Sequence, residues 1–133
     1  MPNKIIKIQG ILTSGLGTGK FFIEKEDYQK SFKKSLSYIP WPGTFNLKLN
    51  SPLPKKIEYS TINGFKEKNK TFGSIKYHKC SIINKKVKNL ITHLIIPQKT
   101  EHDKITIEII SPKHLRKFLN VKDGDEITIS IEE

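Results

Sequence analysis

Polar and apolar positions alternate every second residue over much of the chain, and this period-two pattern predicts a protein made mainly of short strands. "KIIKIQGILT" at 4–13 and residues 20–24 read as strands on either side of a glycine-rich loop, "SGLGTG". The period changes at 27–39, where Tyr28, Phe32, Leu36 and Ile39 recur at helical spacing with Lys30, Lys33 and Lys34 on other faces, and Pro40 stops the run. Alternation returns at 44–49, "TFNLKL". Residues 51–70 are rich in Pro, Lys, Asn and Gly and predict surface loop with one strand at "KIEYST". "TFGSIKYHKCSII" and "NLITHLIIP" predict two strands separated by the polar turn "NKK", and "KITIEIIS" at 104–111 predicts another. Ser111 is placed to cap and Pro112 to open a short helix, "KHLRKFL", with Leu115, Phe118 and Leu119 on one face. An Asp-Gly turn and a last alternating strand, "DEITISI", close the chain. About seven strands and two helices suggest a small β-barrel with helical decoration.

Composition narrows the class. At 133 residues one domain over 1–133 is expected, and 35% hydrophobic residues suffice for a core despite 28% charge. A single cysteine, Cys80, excludes an internal disulfide and suits the cytoplasm, and no apolar run reaches membrane-spanning length. The net charge of +11 invites a nucleic-acid reading. Of the 24 basic residues, however, all but Arg116 are lysines scattered along the chain, the pattern of ordinary solvated faces. A nucleic-acid partner is therefore not favoured.

The glycine loop fits neither familiar phosphate-binding template. Only three residues separate Gly15 from Gly19-Lys20, and Phe21 follows where a P-loop needs Ser or Thr; Lys20 also stands where a dinucleotide fingerprint needs glycine. In "GTFNLKL", Thr44, Asn46 and Lys48 share one face of the strand, so a hydroxyl and an amide oxygen lie two residues apart, an arrangement able to share Mg²⁺. Pattern alone favours a half-exposed strand with a polar face. Glu108 shares its face with Thr106 and Ile110, and binding a polyol or abstracting a proton weighs equally with facing solvent. The helix start at Ser111-Pro112, with Lys113 and Arg116 one turn apart, suits an anion, although ordinary capping is the simpler account. His78 and Cys80 have no second pair of ligands, so a zinc site is rejected, and His93 reads as a satisfied core residue. No hydrolase motif occurs.

In order along the chain, "GLGTGKFF", "YQKSFKKSL", "PGTFNLKLN", "IIPQKT", "EIISPKHLRKFL" and "VKDGDEITI" resemble the archaeal CTP-dependent riboflavin kinases. The resemblance spans nearly the whole chain and is weakest over 51–72. It implies a cradle-loop β-barrel that transfers the γ-phosphate of CTP to riboflavin, giving FMN and CDP, with Mg²⁺ as the cofactor and a monomer as the working state. Carried over by matching motif, Gly15, Leu16, Gly17, Thr18, Gly19 and Lys20 would lie against the nucleotide, joined by a second segment of Lys113, His114, Leu115 and Arg116. Thr44 and Asn46 match the magnesium ligands, and Thr100 and Glu108 the flavin contacts, with Glu108 the candidate to orient the attacking hydroxyl. Two rivals remain at this stage: a basic DNA-binding barrel resembling the swapped-hairpin regulators, and a flavin or nucleotide binder without catalysis.

Overall fold

The computed structural model describes residues 4–14, 24–42, 44–54, 56–84, 90–97 and 105–132. In chain order these carry β1 (Ile5–Thr13), α1 (Glu26–Leu36), β2 (Phe45–Leu49), β3 (Ser60–Ile62), β4 (Phe65–Glu67), β5 (Lys70–Phe72), β6 (Ile75–Ile83), β7 (Thr92–Pro97), β8 (Thr106–Ile110), α2 (Leu115–Leu119) and β9 (Glu126–Glu132). Six of the strands close into an antiparallel barrel in the order β6-β7-β8-β2-β1-β9, with β9 returning to β6. Closure depends on the nine-residue β6, one side of which serves two partners: its start pairs with β3 and its end, Cys80–Ile83, with β9. Full closure leaves these six strands no open edge. The expected barrel is therefore present. Among the described residues no helix is long and apolar enough to cross a membrane.

Alternation along each strand sorts side chains into two cores. Inside the barrel pack Leu12, Phe45, Leu47, Leu94, Ile107, Ile109, Ile127 and Ile129. The opposite faces of β6, β7 and β8 offer Ile75, Ile95 and Ile110, which are covered by Tyr28 and Phe32 of α1, by Ile62 and by Phe72. Apolar residues on both faces of these strands mark where the barrel wall is sandwiched between interior and helix.

Four local predictions are corrected. First, α1 ends at Leu36, three residues short of expectation. Ser37 takes the left-handed conformation at φ 67° and its N–H closes on the Lys33 carbonyl. The chain rotates there, so Tyr38 turns inward at 9% exposure and Ile39 points out at 52%. Second, α2 begins at Leu115, not at Pro112, and His114 is its N-cap. The Ser111 carbonyl is held by the Trp41 N–H at 2.8 Å, and the Ser111 hydroxyl accepts the Lys113 N–H at 3.3 Å, so Ser111 finishes the strand instead of starting the helix. No helix start therefore stands at Ser111-Pro112, and Phe118 lies 42% exposed. Third, the predicted strand at 71–83 is broken at 73–74, where the Gly73 carbonyl accepts the Tyr28 phenol at 2.6 Å. Fourth, the stretch 51–70 contains β3 and β4, and β4 forms a hairpin with β5 in which Phe65 stacks on Phe72 at 4.8 Å. The strand predicted at 20–24 falls largely outside the described residues.

Candidate active site

Strand register assembles the polar face predicted for β2. Asn46 lies directly opposite Thr13 of β1 on one side and Glu108 of β8 on the other, and Glu108 in turn lies opposite Ile95 of β7. Directly paired residues share a face, so this row runs across the outside of the barrel wall. Thr44, just before β2, reaches into it: its hydroxyl donates to Asn46 Oδ1 at 2.9 Å and also lies 3.3 Å from Glu108 Oε1. Thr44 and Asn46, two residues apart, thus meet at one point with Glu108, 64 residues after Thr44.

Burial sharpens the arrangement. Asn46 and Glu108 are each only 4% exposed, whereas Lys48, two residues on, projects into solvent. The polar strand face is therefore not a solvated one, and of the two readings of Glu108 the solvent-facing one is excluded. Burying an amide and a carboxylate is costly unless their lone pairs find partners, and the Thr44 hydroxyl supplies one of them. Hydroxyl, amide oxygen and carboxylate form a hard-oxygen donor set that fits Mg²⁺. Among the described residues no three His, Cys, Asp or Glu side chains gather to hold a metal. A cation bound at Thr44 and Asn46 would therefore keep most of its waters or take oxygens from a substrate.

Thr44 also lines a cleft of about 130 Å³ whose walls include Trp41, Pro42, Ser111, Lys113, His114 and Arg116. The cleft brings Thr44 of the oxygen cluster against the Lys113–Arg116 segment, which begins 69 residues later in sequence. Leu115 contributes from the core side at 4% exposure. Lys113 is exposed, its ammonium 4.8 Å from the Phe118 ring centre. Trp41 stacks on His114 at 5.2 Å and 11°, while His114 Nδ1 is buried and makes no hydrogen bond. Gly15, Leu16, Gly17, Thr18, Gly19, Lys20 and Thr100 lie outside the described residues.

Sequence reasoning missed three participants. Trp41, the only tryptophan, sits between two prolines, a stiff setting for a 48% exposed indole. Asp123 belongs to the Asp-Gly turn, which had been read only as a turn. Its carboxylate is held below the ordinary range by a hydrogen bond from Ser14 and by Arg116. Tyr38 escaped notice because the helix was extended past it. Its hydroxyl and His93 Nδ1 are 2.9 Å apart, and burial raises the Tyr38 pKa.

His93, expected as a satisfied core residue, is only half-buried, and burial, reinforced by Lys79 and His78, lowers its pKa below the ordinary 6.5. The unfolded chain then binds the proton that the folded chain refuses. Stability should fall as pH drops below about 6.5 and recover as pH rises through that value. Urea midpoints measured at about pH 5.5 and pH 7 should differ in that direction, and His93→Gln should narrow the difference.

A family model for CTP-dependent riboflavin kinase, described as a domain of unknown function, DUF120, matches residues 12–131. The chain belongs to the CTP-dependent riboflavin kinase family. A riboflavin kinase of Thermoplasma volcanium is 39% identical over 132 residues, covering 95% of this chain and 57% of that protein. Riboflavin kinases of Saccharolobus solfataricus and Sulfurisphaera tokodaii are each 38% identical, matching 95% and 98% of this chain and 74% and 98% of their own lengths. The chain thus spans little more than half of the first relative and nearly all of the third.

Proposed function

We propose that this protein phosphorylates riboflavin at the ribityl 5′-hydroxyl, using CTP and releasing FMN and CDP. The observation that carries the reading is the meeting of Thr44, Asn46 and Glu108 within 3.3 Å beside a cleft shared with Lys113–Arg116. Phosphoryl transfer asks a protein mainly to align the attacking and leaving oxygens and to neutralise charge on the transferred group. In this reading Mg²⁺, held by Thr44 and Asn46, supplies charge neutralisation at the phosphates. Glu108 orients the flavin's ribityl hydroxyl: its carboxylate accepts a hydrogen bond from that hydroxyl and receives the proton as the new O–P bond forms. The bond between the γ-phosphorus and its bridging oxygen breaks, and the electron pair leaves with CDP. Gly15 to Lys20 contribute backbone N–H groups to the nucleotide, Thr100 contacts the flavin, and Arg116 adds a cation. Burial of Glu108 in the barrel wall fixes its position and removes competing water.

The test is incubation of the purified protein with riboflavin, Mg²⁺ and either CTP or ATP, with chromatography for FMN. FMN is expected with CTP and little or none with ATP, since a pocket shaped for a pyrimidine rejects the larger purine. No FMN with any nucleotide, together with salt-sensitive binding of duplex DNA, would overturn the kinase reading in favour of a nucleic-acid module.

A further inference from the structure

Arg116, the only arginine, does not hang free at the cleft. Its Nη2 donates to Asp123 Oδ1 at 2.6 Å and to the Thr13 carbonyl at 3.2 Å. The other Asp123 oxygen accepts the Ser14 hydroxyl. Asp123 is presented by a turn that is itself tied to β1: the Gly124 N–H donates to the Leu12 carbonyl at 2.8 Å, and the Leu12 N–H to the Asp125 carbonyl at 2.9 Å. The Asp125 carboxylate closes the turn by accepting the Lys122 N–H at 2.8 Å. Gly124 sits at φ +93°, a conformation that glycine adopts at little cost. One network therefore joins three places: the cleft through Arg116, the end of β1 through Thr13 and Ser14, and the oxygen cluster, because Thr13 is the direct cross-strand neighbour of Asn46.

As a stability device the network is weak. The Arg116 and Asp123 side chains are 32% and 51% exposed, and pairs so exposed add little to folding. Its geometry serves orientation instead. Both hydrogens of Nη2 are spent on the Thr13 carbonyl and Asp123, which fixes the guanidinium plane and leaves the Nε and Nη1 hydrogens as separate donors for an anion. We propose that Asp123, with Ser14, is a positioning residue that holds the Arg116 guanidinium, with its Nε and Nη1 donors free, toward the nucleotide phosphates in the cleft. This rests on the nucleotide reading of the cleft.

The sign of the effect separates positioning from bulk electrostatics. Removing a negative charge near a triphosphate should tighten CTP by simple attraction, whereas loss of the lock should weaken it. Calorimetric titration of CTP into the protein is the measurement, with FMN formation by wild type assayed separately. Asp123→Ala is expected to weaken CTP roughly tenfold, and Ser14→Ala less. The Asp123→Ala/Arg116→Ala double variant should bind no worse than Arg116→Ala alone, because the lock acts only through the arginine. Riboflavin affinity and the thermal midpoint of Asp123→Ala should stay close to wild type, the midpoint within about 2 °C. Unchanged or tighter CTP binding in Asp123→Ala, or additive losses in the double variant, overturns the proposal, as does a wild type that does not bind CTP. A wild type that binds CTP but makes no FMN, with variants that lose CTP affinity in this pattern, removes the kinase reading and leaves the lock standing.

Discussion

Asn46→Ala is expected to lower kcat/KM for FMN formation roughly a hundredfold to a thousandfold at low Mg²⁺, the scale for removing one group that stabilises developing charge in a closed site. The amide oxygen lost is the acceptor of the Thr44 hydroxyl at 2.9 Å, so the substitution both deletes a proposed cation ligand and releases its neighbour. Thr44→Ala should have a comparable effect, while Thr44→Ser, which keeps the hydroxyl, should restore most of the activity. Raising Mg²⁺ should recover part of the loss in either alanine variant, because a weakened site fills at higher concentration. The fold should persist, since neither side chain belongs to either apolar core. Activity of Asn46→Ala equal to wild type at limiting Mg²⁺ would remove the metal-binding role from this strand.

Why this pair was legible from sequence while the latch around Asp123 was not comes down to range. Thr44 and Asn46 are two residues apart on one strand, and strand geometry alone puts them on one face. Glu108 was legible as a residue but not as a neighbour, because its place opposite Asn46 depends on β8 pairing with β2 across some sixty intervening positions. Arg116, Asp123 and Ser14 come together only when β9 folds back along β1, and nothing local to any of them announces that. Barrel class was readable because alternation is a local property repeated in many segments. Helix ends were misplaced where a tertiary bond overrode a local signal: the Ser111 carbonyl is claimed by Trp41, and Ser37 takes a left-handed turn that no glycine or asparagine advertised. The break at Gly73 was missed for the same reason, since its carbonyl answers to Tyr28 on a helix 45 residues earlier.

The second large effect concerns the layer outside the barrel. Phe32→Ala is expected to cost about 3–5 kcal/mol, the range for deleting a buried aromatic side chain, out of the roughly 5–15 kcal/mol that hold an ordinary domain together. Phe32 is completely buried, packed among Tyr28, Ile62, Phe72, Ile75, Ile95 and Ile110. It is the residue through which α1 grips the barrel wall, and rigid strands beneath it limit how far the vacated space can collapse. A fall of more than about 10 °C in thermal midpoint should follow. Tyr28→Phe provides the contrast: it keeps the ring contacts, loses the 2.6 Å bond to the Gly73 carbonyl, and should cost about 1 kcal/mol. Activity links this layer to the chemistry, because Ile95 under the helix is the cross-strand partner of Glu108. Measured well below its midpoint, Phe32→Ala should lose turnover more than it loses CTP affinity, since the slackened wall carries Glu108, the residue proposed to orient the flavin hydroxyl, and not the Arg116 side of the cleft. A variant within about 1 kcal/mol of wild type would mean that α1 merely rests on the barrel, and Glu108 would then owe its burial to the strands alone.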